Sequence, residues 1–153
     1  MILEGIYMNA TPVNQQDFYA WTQQQADLLR SRQFNKIDLE HLIEEVESMG
    51  NSELRELESR LTVLLMHLLK WQYQANFQTR SWILTIKEQR RRIVKRLQQS
   101  TSLKNKLAEI INDAYELARG DAADETGLPE SDFPVTCPWA YTQIVDMEFW
   151  PSE

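Results

Sequence analysis

Between Leu54 and Trp71 the apolar residues Leu54, Leu57, Leu61, Leu64, Leu68 and Trp71 recur at steps of three and four. That is the helical period, so they form one continuous apolar seam along a helix opened by Ser52. From Leu61 to Leu69 nearly every position is apolar, and only Thr62 and His67 interrupt the run. A helix that is apolar nearly all round is a surrounded one, so this half is expected at the centre of the fold.

The rest of the chain offers helices to surround it. Only four glycines occur (Gly5, Gly50, Gly120 and Gly127), and no segment sustains a two-residue alternation, so no strand is predicted. A helix is expected from about Asn14 to Ser31, with Phe18, Trp21, Leu28 and Leu29 inward. Asp38 suits the N-cap of a short second helix carrying Leu39, Leu42, Ile43 and Val46 and stopped by Gly50. After the leucine helix, a fourth should span about Ser81 to Gln99, burying Trp82, Ile83, Ile86, Ile93, Val94 and Leu97. Ser102 can cap a fifth with Leu103, Leu107, Ile110, Ile111 and Leu117 inward, ended by Gly127 and Pro129 unless Gly120 breaks it first. The segment LPESDFPVTCPW reads as a proline-punctuated loop, and Pro138 can start a last short helix to about Asp146. The fold class is therefore all-α: one domain over residues 1–153, a bundle of five or six helices with no sheet.

Charge is segregated along this chain. Residues 1–58 hold 4 Lys/Arg against 11 Asp/Glu, residues 59–120 hold 12 against 4, and residues 121–153 hold none against 8. Either the acidic flanks fold back onto the basic middle, or the middle is kept for an anionic partner. A pI near 4.9 argues against indiscriminate nucleic-acid binding, while a local basic face remains compatible with it. At 42% hydrophobic and 25% charged the chain lies in the globular range. Its single cysteine, Cys137, excludes an internal disulfide framework and fits a reducing cytosol. No stretch approaches the roughly 20 apolar residues that span a bilayer. The N-terminal residues lack the basic start and apolar run of a signal peptide, so no membrane role and a cytoplasmic location are expected.

At DFYAWTQQQADLL, DLEHLIEEVESMG, ELESRLTVLLMHLLKWQYQ, RSWILTIKEQRRRI, DETGLP and CPW, in order from about Asp17 to Pro151, the chain resembles a known bacterial family. This is the domain of unknown function 29 family, small helical proteins common in cyanobacteria and proteobacteria. The resemblance implies a helical fold and a cytoplasmic bacterial setting, and it brings no catalytic residue with it.

Four constellations bear on chemistry. In the fourth helix Lys87, Arg91 and Lys95 stand at i, i+4 and i+8, with Arg92 and Arg96 a second i, i+4 pair beside them. Arg80, Arg90, Lys104 and Lys106 extend this field, and Glu88 is the only acid between positions 80 and 106. Guanidinium groups make bidentate contacts to phosphates, and Trp71 and Trp82 can stack on bases if exposed. The plainer reading is a solvated face, or one that meets the acidic segments within the fold or a dimer. Arg60 and His67 lie two turns apart on one side of the leucine helix. That spacing resembles the Arg-x(4–6)-His motif of small helical ribonucleases of the HEPN group, where Arg stabilises phosphate charge and His helps activate the 2′-hydroxyl. Leu61 stands where such enzymes often carry a polar residue, and a buried histidine bonded to a neighbour explains His67 as well.

Glu40, Glu44 and Glu47 make a carboxylate stripe beside His41 and Glu45. The Glu-x-x-His pairs of di-iron bundles are absent, and two histidines are few for zinc, so no metal and no cofactor are expected. Cys137 precedes a helix start that can lower its pKa, but no partner histidine is in view. The expected function is that of an interaction module, docking a protein partner or self-associating through the basic helix and acidic flanks. Arg91, Arg92, Lys95, Arg96 and Lys87 are its binding residues. The alternative is a nucleic-acid-binding protein or metal-independent ribonuclease using Arg60 and His67.

Overall fold

The computed structural model describes residues 17–152. These form five α-helices joined by short 3-10 turns, with no strand among the described residues. The helices are α1 (Phe18–Arg30), α2 (Leu39–Tyr73), α3 (Arg80–Gln99), α4 (Leu107–Thr126) and the single turn α5 (Tyr141–Ile144). The chain divides into two compact units, one ending at Asn51 and the other beginning at Ser52.

In the first unit Asp17 caps α1, its Oδ1 accepting from the Ala20 N–H at 3.0 Å. Positions 14–16 of the expected first helix lie outside the described residues. After α1 the chain turns through Arg32, a non-glycine residue with φ of 60°. Of the four residues expected inward, Trp21 is buried and Leu28 half-buried, but Phe18 and Leu29 are 46% and 42% exposed. The other buried residues described in this unit are polar, Gln25 from α1 and His41 from α2, and the Phe18 ring stacks on Trp21 at 5.7 Å.

The second and third expected helices are one. α2 continues through Gly50, which takes no positive φ and whose missing side chain would meet nothing within 4 Å. A glycine ends a helix by adopting the left-handed conformation, and inside one it costs only about 1 kcal/mol. Helix formers on both sides (Glu45, Glu47, Glu53, Leu54) outweigh that cost. Gly127 does adopt it, at φ 76°, and ends α4 as expected, while Gly120 stays helical.

The second unit is organised by the leucine run. Leu57, Leu61, Leu64, Leu65, Leu68 and Leu69 are fully enclosed, against Ile86, Ile93 and Leu97 of α3 and Ile110, Ala114 and Tyr115 of α4. Each enclosed leucine contributes roughly 2 kcal/mol of burial. Thr79 caps α3 through the Trp82 N–H, and that helix matches its expected span to one residue. Ser102 is not a cap but part of a 3-10 turn, Thr101–Lys106. Leu117 is 54% exposed rather than inward, because the α4 core positions fall at 111, 114, 115, 118 and 122.

The proline-punctuated segment follows α4, but its helix is a single turn shorter at both ends than expected. Side chains from the helices hold it by donating to its carbonyls. Tyr115 Oη bonds Pro134 O at 2.6 Å, Arg119 Nε bonds Phe133 O at 3.2 Å, and Arg90 bonds Ile144 O and Phe149 O. Burial pushes the Tyr115 phenol up to about 12, so this donor keeps its proton. Among the described residues no helix is long and apolar enough to cross a membrane.

Candidate functional site

Helix α3 carries most of the basic block, and its inward register sorts the cations. The buried positions are Ile86, Arg90, Ile93 and Leu97, so Arg90 occupies a place in the apolar repeat. It is 0% exposed, donating from Nε to Ile144 O at 2.7 Å and from Nη2 to Phe149 O at 2.8 Å. Its guanidinium lies 5.4 Å from the Trp150 ring centre, and burial lowers its pKa from the usual arginine value. Arg90 is a structural cation. The clue was its register, four residues after Ile86 and three before Ile93.

Arg96 and Arg60 are engaged as well, by acids of α2. Glu56 bridges them, Oε1 accepting from Arg96 Nη2 at 2.6 Å and Oε2 from Arg60 Nε at 3.0 Å. The Arg60 hydrogen bond holds the Glu56 carboxyl below the usual carboxylate range. Arg60 Nη1 also reaches Gln89 Oε1 at 3.2 Å, and Arg96 Nη1 lies 3.6 Å from Glu53. Further along, Lys70 pairs with Glu125 at 2.7 Å and Arg119 with Glu130 at 3.2 Å. Part of the basic middle is thus covered by acids from both flanking blocks.

The remainder is not. Arg91 and Lys95 are exposed and Lys87 half-buried, and none of the three has an ion pair among the described residues. Arg92 meets only the exposed Glu88, at 3.5 Å. Arg91 and Lys95, with Arg90, Val94, Gln98, Val145 and Met147, line a groove of about 470 Å³. A smaller hollow of about 150 Å³ lies between Glu56, Arg60, Arg92, Lys95, Arg96 and Gln99. Four of the five expected binding residues therefore fall into two places, Arg91 and Lys95 on an apolar-floored groove and Arg92 and Arg96 with Lys95 on a polar one, while Lys87 lines neither.

The sequence of the family described as Domain of unknown function DUF29 matches residues 13–150, nearly the whole chain. The chain belongs to this family. No curated protein and no solved structure matches it.

The remaining expected sites separate clearly. His67 is half-buried, its Nδ1 2.8 Å from Val63 O, so the hydrogen sits on Nδ1 and Nε2 carries the lone pair. Burial lowers its pKa, with Lys70 acting in the same sense, which leaves the ring neutral near pH 7. Arg60 lines the smaller hollow, and His67 is not among its walls. Trp71 packs on Trp150 at 4.7 Å and Trp82 lies under Lys70 at 4.6 Å, so both indoles have partners within the second unit.

In the first unit Asp38, directly before α2, is a hub. Its Oδ2 accepts from Trp21 Nε1 at 3.0 Å, both oxygens lie 3.0 Å from His41 Nδ1, and its N–H donates to Gln25 Oε1 at 2.7 Å. The Asp38 hydrogen bond raises the His41 pKa against the opposing effect of burial. Glu40, Glu44 and Glu47 are exposed, and the described residues contain no group of three or more metal-ligating side chains placed to hold an ion. Cys137 departs from expectation: α5 starts four residues later, and burial raises the thiol pKa while Sγ contacts Trp139 O at 3.4 Å.

Proposed function

We propose that this protein is an interaction module of the bacterial cytoplasm that docks an acidic helical surface on the α3 groove. One observation carries the reading. Arg91 and Lys95 stand exposed and unpaired beside an apolar floor of Val94, Val145 and Met147, while their neighbours Arg90, Arg60 and Arg96 are committed to the fold. Unpaired cations around a desolvatable centre give steering, orientation and a contact core together.

The test is a titration with a synthetic amphipathic helix bearing Glu at i, i+4 and i+7 beside a Leu/Ile seam, followed by amide resonance mapping. Shifts are expected at Arg91, Val94, Lys95 and Met147, weakening as salt rises. Shifts confined to other faces, or none at saturating peptide, would sink the reading.

A second reading rests on the smaller hollow, where Arg60 shares a wall with Arg92, Lys95 and Arg96. Four cations around one carboxylate suit a phosphodiester, which supports a nucleic-acid-binding protein or ribonuclease with Arg60 and His67 as its pair. Labelled single-stranded RNA, with His67→Ala as control, separates the two. Cleavage lost in the variant favours the enzyme, and retention that falls steeply with salt favours a binder.

A further inference from the structure

Two surfaces lack a covering partner among the described residues, and their chemistries are reciprocal. The first is the start of α2. Leu39, Ile43, Val46 and Met49 are 59%, 50%, 60% and 64% exposed, a concentration of apolar side chains unlike the scattered ones normal on a surface. Leu39, Ile43 and Val46 stand at i, i+4 and i+7, and Glu40, Glu44 and Glu47 repeat that spacing one residue on. On a helix this sets an acidic row directly beside an apolar seam, each about 11 Å long. None of the three glutamates has an ion pair with Lys or Arg among the described residues.

The second surface is the α3 groove, where Arg91 and Lys95 lie beside Val94, Val145 and Met147. Lys87, one turn before Arg91, extends the cationic row at i, i+4 and i+8 to about 12 Å of axis. Here a cationic row lies beside an apolar floor. The acidic and cationic rows both repeat at the helical period over nearly equal lengths, so two helices laid side by side match row to row while the apolar seam meets the floor of Val94, Val145 and Met147. Their charges are opposite.

We propose that the occupant of the groove is a second copy of this chain, which seats Leu39, Ile43 and Val46 on the apolar floor with Glu40, Glu44 and Glu47 against Lys87, Arg91 and Lys95. This rests on the docking reading above and names its partner. Seam-on-seam association is disfavoured, because residues 38–50 carry Asp38, Glu40, Glu44, Glu45 and Glu47 and no Lys or Arg. Pairing two such segments brings like charges together, whereas seam-on-groove pairing neutralises both rows. The recognition mode is an amphipathic helix laid in a groove. Each chain carries one seam and one groove, so a reciprocal pair closes on itself and a one-way contact grows into a chain of copies.

Sedimentation velocity of the full chain at low and high salt tests it, with two charge-reversed variants. One carries Glu40→Lys, Glu44→Lys and Glu47→Lys, the other Arg91→Glu and Lys95→Glu. All five positions are exposed, so circular dichroism should match wild type. Wild type is expected to associate, more weakly at high salt, and each variant alone to lose about 100-fold or more in affinity. An equimolar mixture of the variants should associate again, because each reversed row then faces an opposite one. A wild type that stays monomeric at every concentration overturns the proposal and leaves seam and groove to a different protein. Reversed variants that assemble unchanged, or a mixture that stays dissociated, overturn it equally. The acidic-helix titration separates the two failures: if the synthetic helix binds and the chain remains monomeric, the docking surface stands and only the second copy falls.

Discussion

The two units of this protein are held together by different physics. The second buries six leucines completely and surrounds them with isoleucines and alanines of α3 and α4. In the first, the buried residues among those described are Trp21, Gln25 and His41, gathered around Asp38, while Leu39, Ile43, Val46 and Met49 are exposed. Apolar burial is non-directional and sums over area; a polar hub is directional and fails when one member is lost. The start of α2 in the first unit thus carries a run of exposed apolar side chains, whereas in the second unit exposed apolar residues such as Leu84, Leu117 and Val135 are scattered around a closed core.

The largest break in this contrast is expected from truncation in the core. Leu64→Ala should cost about 3 kcal/mol or more, because the side chain is fully enclosed and its neighbours only partly collapse into the space. Ile43→Ala, half exposed, should cost less than about 1 kcal/mol. Chemical denaturation of both variants checks the pair, and equal costs would erase the distinction.

A smaller effect is expected at the hub. Asp38→Ala removes the acceptor of Trp21 Nε1 and His41 Nδ1 together, leaving two poorly exposed donors unpaired at a cost of about 2 kcal/mol. Amide exchange should then accelerate in α1 and the start of α2 and stay unchanged in α4. Uniform acceleration would mean that the hub serves the whole chain.

The smallest and most diagnostic effect is with pH, where the histidines act in opposite senses. His41 has a raised folded pKa, so its contribution is complete below the ordinary imidazole value of about 6.5 and is lost as pH rises through the folded value. His67 has a lowered one, so its contribution is present above about 6.5 and lost as pH falls through the folded value. Acidification should therefore tighten the first unit and loosen the second. Nuclear magnetic resonance titration of the two rings checks the order of their pKa values, and a His67 that titrates above His41 would reverse the account.

Much of the fold was legible because the leucine period and the α3 register each bury one face. The boundary at Gly50 was misread because a glycine's identity does not disclose its φ, and strong helix formers on both sides carried α2 through. Leu117 and the α5 limits were misplaced for a related reason: which turn of an amphipathic stretch faces the core depends on what packs against it. The candidate site was legible as a field of charge, not as a partition of it. The Glu56–Arg60 pair stands at the i, i+4 spacing of a helix, but no local spacing tells that Glu56 also claims Arg96, 40 positions away, while Arg91 and Lys95 go unclaimed. Arg90 was counted with the basic field, although its place between Ile86 and Ile93 in the apolar repeat was the signal that it is buried.

That partition is the central claim, and two double variants measured side by side test it most directly. Arg91→Glu/Lys95→Glu should abolish docking of the acidic helix, by about 100-fold or more, and leave the unfolding midpoint where it is. Arg60→Gln/Arg96→Gln should leave docking nearly intact and lower stability by about 1 kcal/mol, as partly exposed ion pairs do. The reverse pattern, with stability lost in the first variant and docking lost in the second, would contradict the account.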